Sequence, residues 1–152
     1  MSDLSVSPAP ARASVLRPSW LHLAWVQAAV AMGGSLYFSE YMLFPPCALC
    51  WYQRIAMYPL VAVLGVALLR GDGRGARAYG LPLSIIGWLI ALYHCAMTYG
   101  VIGETQCSAT DAVSCTIRWI NWYGFITIPL LAFVAFSVII FSLVMHGRTE
   151  AR

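Results

Sequence analysis

Cys47-Ala48-Leu49-Cys50 is followed at once by Trp51-Tyr52-Gln53-Arg54. Two cysteines separated by two residues close into a readily exchanged disulfide, so the chemistry to expect is thiol–disulfide exchange. Cys50 stands where a long apolar segment begins. That places it near a helix N-terminus, whose unpaired amides and macrodipole favour an anion, and its thiolate is expected to be the favoured one. Arg54 lies one turn further on the same face, about 6 Å deeper. With an effective dielectric of about 20, a charge at that distance contributes roughly 3 kcal/mol, or about two pKa units. A guanidinium there would also steady negative charge growing on a reducible ring. The plainer role is a snorkelling anchor, but Arg54 stands apart from most of the arginines and beside a dithiol.

Three further cysteines and a histidine bear on the same chemistry. Cys107 and Cys115 are separated by seven residues in a polar stretch that includes Ser108, Thr110, Asp111 and Ser114. Four cysteines allow three pairings, of which Cys47 with Cys50 and Cys107 with Cys115 is the expected one. The second pair is either a structural staple or the other half of an electron relay. His94 falls at a depth similar to Arg54 and is either a hydrogen-bonded packing residue or a proton donor. Adjacent Cys95 points to another helix face and reads as a buried structural thiol. Glu40 either pairs with Arg54 or reaches water. Cysteines and His94 together could ligate zinc or copper, yet the spacing suits a closed four-cysteine site poorly and no resident metal is expected. Trp51 after the vicinal pair excludes a haem attachment signal, which needs histidine there. The glycines of Arg70-Gly71-Asp72-Gly73-Arg74-Gly75 do not form a phosphate loop, because the chain has no lysine and no strand precedes them.

These residues must be positioned by membrane helices. Of 152 residues, 61% are hydrophobic and 10% charged, with a mean hydropathy of +0.74. A water-soluble domain of this composition would lack the polar surface to cover its core. Four apolar stretches, Trp20 to Phe44, Trp51 to Leu69, Leu81 to Tyr99 and Trp122 to Met145, are each long enough to span. The expected fold is an all-α integral membrane four-helix bundle, with residues 1–19 a cytoplasmic tail, 20–146 the four-span redox domain and 147–152 a second tail. Seven of the nine basic residues, Arg12, Arg17, Arg70, Arg74, Arg77, Arg148 and Arg152, fall in the two tails and the middle connection. The positive-inside bias makes those segments, and both termini, cytoplasmic. The net charge of +3 thus reflects topology, and no nucleic-acid partner is implied. Phe44 to Cys50 and Val101 to Asn121 then face outward, where oxidised cysteine pairs persist. Tyr41, Trp51, Tyr52, Tyr99, Trp119 and Trp122 fit an outer aromatic belt. The glycine-rich middle connection is expected to be flexible, and Pro59 and Pro129 to bend the second and fourth spans.

The run from Cys47 to Pro59, with Trp119-Ile120-Asn121-Trp122-Tyr123-Gly124-Phe125-Ile126-Thr127-Ile128-Pro129, resembles the DsbB family of disulfide-generating membrane proteins, in its BdbC-like branch. The similarity covers all four spans. It implies a protein-disulfide oxidase in the bacterial cell membrane that reoxidises an extracytoplasmic thioredoxin-fold partner of the DsbA or BdbD kind. Cys107 would be attacked by the partner, Cys47 would exchange with the outer pair, and Cys50, assisted by Arg54, would face a quinone, either menaquinone or ubiquinone. His94 matches a family histidine only loosely. The outer segment from Val101 to Asn121 is shorter than in enterobacterial relatives, and Gln53 replaces an acidic residue often found before the arginine. The vitamin K epoxide reductase family shares the redox logic but carries its vicinal pair before the last span. The competing reading is a four-span structural or assembly protein with two inert disulfides.

Overall fold

The computed structural model describes residues 19–103, 114–120 and 123–150. The architecture is all-helical: α1 (Trp20–Leu36), continued by a π-helical turn (Tyr37–Tyr41), then α2 (Ala48–Arg70), α3 (Gly73–Thr98) and α4 (Ile128–Glu150). Three helices, α2, α3 and α4, are by themselves long and apolar enough to cross a membrane. The first apolar stretch is broken from α to π winding at Tyr37, so α1 alone has 17 residues.

The helices form a ring in which α3 packs on α2 and α4, and α1 packs on the same two neighbours from the other side. Leu60 and Leu64 of α2 meet Phe136, Ile139 and Leu143 of α4, all fully buried. Small residues let the backbones close up, as is usual where lipid surrounds a bundle. A Cβ on Gly87 would fall 2.3 Å from the Phe136 ring, so that ring sits directly on the α3 backbone. Trp25 of α1 donates its indole N–H to the Val61 carbonyl of α2 at 3.2 Å.

Two expectations are corrected. The glycine-rich connection is a turn of only Gly71 and Asp72. Gly71 ends α2 in the left-handed region (φ +66°), which glycine adopts without a Cβ penalty. The Asp72 carboxylate then caps α3 by accepting from the Gly75 N–H at 2.8 Å. The cap outweighs the poor helix propensity of Gly73 and Gly75, which therefore lie inside α3. The fourth helix, likewise, starts at Ile128 rather than Trp122. Tyr123 and Gly124 both have positive φ (54° and 81°) and turn the chain before it. Pro129 is consequently in the first helical turn, where no N–H is needed, and does not bend the span. Pro59 is interior to α2 as expected.

The antiparallel order sets the two ends of the bundle apart. One carries the Gly71–Asp72 turn with Arg70, Arg74 and, at the end of α4, Arg148. The other carries Cys47 and Cys50 at the start of α2, His94 near the end of α3, and the segment 114–120 leading toward α4.

Candidate functional site at the cysteine end

Cys47 is the N-cap of α2, and its sulfur accepts from the Cys50 backbone N–H at 3.4 Å. That local bond folds the vicinal pair back on itself and brings the two sulfurs to 3.0 Å. They are free thiols here, the dithiol form of the expected pair. Cys95 is also free and buried, away from them. Cys115 is disulfide-bonded. Cys107 lies outside the described residues.

His94 joins the two halves of the site. It is 2% exposed, with Nε2 3.1 Å from the Cys115 carbonyl and 3.8 Å from the Cys47 sulfur, while Nδ1 is 3.2 Å from the Gln53 amide nitrogen. A carbonyl only accepts, so Nε2 carries the proton and Nδ1 accepts from Gln53; the hydrogen-bond network assigns this tautomer. Gln53 was noted in the sequence only as a departure from a pattern, and its role here was missed. The signal was available: a buried amide in an apolar helix requires a partner.

Donors therefore converge on Cys47, from the Cys50 side chain and backbone and from His94. They hold its thiol well below the ordinary range, against the opposing effect of burial. The sequence placed the help of the helix start at Cys50; the geometry delivers the Cys50 amide to the N-cap sulfur, one turn earlier. Arg54 sends Nη2 to the Ser35 carbonyl of α1 at 3.1 Å and lies over the Trp51 ring, 5.5 Å from its centroid. Glu40 is exposed and receives the Ser39 hydroxyl, so the optional Glu40–Arg54 pair is not formed.

Cys50 separates two cavities. One, about 350 Å³, opens among α1, α2 and α4 and is lined by Ala31, Phe38, Met57, Leu131 and Phe136, with Gln27, Ser35, Gln53 and Arg54 among its polar groups. The other, about 20 Å³, is bounded by Cys47, Cys50, His94 and Cys115. Trp119 borders both and stacks on Phe44 at 5.3 Å. The segment after Cys115 is strapped to α3 by Arg118, which donates to the Thr98 carbonyl at 2.7 Å, and by Tyr99, whose hydroxyl donates to the Phe125 carbonyl. An adjacent dithiol and a disulfide-bonded cysteine, bridged by an imidazole and backed by an apolar chamber, is an arrangement for passing electron pairs between sulfurs.

Residues 17–146 match the family described as "Disulfide bond formation protein DsbB". The chain belongs to the DsbB family. It is 49% identical over 132 residues to "Disulfide bond formation protein C" of Bacillus subtilis, covering 85% of this chain and 94% of that protein. A "Probable disulfide formation protein C 2" of Bacillus cereus is 42% identical over 138 residues, covering 90% and 97%. A "Probable disulfide formation protein" of Oceanobacillus iheyensis is 42% identical over 133 residues, covering 87% and 91%. These relatives place the chain in the BdbC-like branch, and DsbB membership makes it a disulfide-forming membrane oxidoreductase. No solved structure gives a significant match.

Proposed function

We propose that this DsbB-family protein is a quinone-dependent thiol oxidase that reoxidises an extracytoplasmic thioredoxin-fold dithiol protein. The observation that carries the reading is the position of Cys50, in the wall between the chamber of about 350 Å³ and the small pocket holding Cys47, His94 and Cys115.

A partner dithiol would attack Cys107 in a Cys107–Cys115 disulfide, leaving the partner oxidised and both loop cysteines reduced. The loop dithiol would then open a Cys47–Cys50 disulfide, regenerating its own bond and yielding the dithiol seen here. Each exchange breaks one S–S bond, forms another and moves two electrons. His94 supports the second exchange by holding the Cys115 carbonyl and Cys47 against the same ring nitrogen.

The chamber fits a quinone ring. Its size lies in the range of small-molecule sites, its walls are apolar, and its polar groups are few. Ala31, Phe38, Met57 and Phe136 would hold the ring, with Arg54 and Gln53 beside its oxygens. When bound, a quinone supplies a two-electron, two-proton acceptor. Arg54 would steady negative charge in the chamber, and burial of the site would strengthen that effect. The cysteine end faces outward from a bacterial cell membrane and both termini are cytoplasmic; the arginines at the opposite end support this orientation. Residues 20–146 act as one redox domain between two tails.

The test is turnover by the purified chain with a reduced thioredoxin-fold protein and menaquinone or ubiquinone, read as loss of the oxidised ring's absorbance. Cys50→Ser should abolish it. Full turnover by that variant, or a dithiol that stays unreactive to every ring acceptor, would refute the assignment and return the chain to a structural role.

A further inference from the structure

We propose that the reduced Cys47–Cys50 pair and His94 form a three-donor site for a thiophilic cation of the zinc class, present only while the pair is reduced. The two sulfurs and one ring nitrogen all lie within 4.8 Å of one another. The sulfurs are 3.0 Å apart, and Cys47 Sγ is 3.8 Å from His94 Nε2. A tetrahedral centre with bonds of about 2.3 Å to sulfur and about 2.0 Å to nitrogen needs donors roughly 3.5–3.8 Å apart. The Cys47–His94 edge is already close to that length, the Cys50 sulfur lies within 4.8 Å of the ring nitrogen, and the sulfurs need part by less than about 1 Å. Space is present as well. The cavity of about 20 Å³ is bounded by all three donors, above the roughly 10–15 Å³ that a water-sized occupant requires.

Protonation favours the same ligand set. A bound divalent cation would deprotonate both thiols. Two thiolates and a neutral imidazole carry two negative charges, so a divalent ion leaves this buried site neutral. His94 must present a bare Nε2, which moves its proton to Nδ1. Gln53 accommodates that change by turning its amide over, so that the carbonyl oxygen accepts where the nitrogen donated. The dithiol loses its thiol protons to solvent and no electrons move. Oxidation of the pair removes both thiolates and with them the site. Nε2 can no longer donate to the Cys115 carbonyl, so loading also unfastens that contact. Resting on the oxidase reading above, the consequence is inhibition: the ion holds the relay in its electron-loaded state.

The binding test needs neither quinone nor partner, so its failure and that of the oxidase reading are separately visible. The full-length chain in detergent is reduced, freed of reductant and titrated with Co²⁺, then with Zn²⁺ in competition. One Co²⁺ per chain should bind with thiolate charge-transfer absorption and a tetrahedral spectrum, and oxidation of the pair should abolish both. X-ray absorption of the zinc-loaded wild type should show two sulfurs and one imidazole, a readout that does not depend on any variant folding. His94→Ala should weaken Zn²⁺ binding at least about 10-fold, while Cys95→Ser should retain it. An octahedral cobalt spectrum, equal binding by the oxidised chain, a zinc shell lacking imidazole, or loss of binding in Cys95→Ser would overturn the proposal.

Discussion

The two ends of the bundle solve the same problem, connecting antiparallel helices, in opposite ways. At the arginine end two residues suffice, with Gly71 supplying the left-handed cap and Asp72 closing α3 on the Gly75 amide. At the cysteine end α1 widens into a π-helical turn and Leu43 sits at positive φ (53°). The N-cap of α2 is a cysteine there, and the amide it satisfies belongs to its redox neighbour. The comparison teaches that a carboxylate and a thiol compete for the same kind of unpaired amide. An aspartate uses the helix start for stability, and a cysteine uses it to favour its thiolate form.

The sharpest way to break that contrast is to follow Cys47 with pH. A lowered thiol pKa means that the anion persists as pH falls, so alkylation of Cys47 in the reduced chain should stay nearly level from about pH 8 to about pH 6. An ordinary thiol of pKa about 8.5 would lose roughly a hundredfold over that span. Mass spectrometry of the trapped peptide measures the rate, and a tenfold fall per pH unit would remove the special status of the N-cap sulfur. Next in size is Arg54→Met, expected to raise the quinone concentration for half-maximal turnover at least about 10-fold, since a charge-assisted contact is worth roughly 1.5–3 kcal/mol. An unchanged requirement would reassign Arg54 to anchoring through the Ser35 carbonyl. The smallest effect belongs to the other end. Asp72→Ala should cost about 1 kcal/mol in denaturant unfolding and leave turnover unchanged; a lost turnover would show that the two ends are not independent.

How much of this was legible beforehand follows the range of the interactions. The all-helical bundle and the vicinal pair were readable because hydropathy and local spacing determine them. The family resemblance rested on contiguous runs around Cys47 and Trp119 and was borne out by the family match. Helix boundaries were less readable where capping competes with composition. Gly73 and Gly75 argued for a loop, yet one carboxylate outweighed them; Trp122 argued for a span, yet the positive-φ Tyr123 and Gly124 delayed it. The meeting of Gln53, His94 and the Cys115 carbonyl was out of reach because it joins positions 41 and 21 residues apart. Periodicity within one helix does not say which face meets which neighbour. The recipient of the helix-start amide was missed for a related reason: it was assigned to the residue inside the helix, whereas the geometry delivers it to the residue just before.

The two-residue link between α2 and α3 lies at the end of both helices opposite the cysteines. Over the 23 residues of α2, about 34 Å at 1.5 Å per residue, opening the Cys47–His94 gap by 1 Å asks for a tilt of only about 2°. Between two helices packed along their length, the whole difference between sulfur and imidazole in contact and apart amounts to a barely perceptible change of angle.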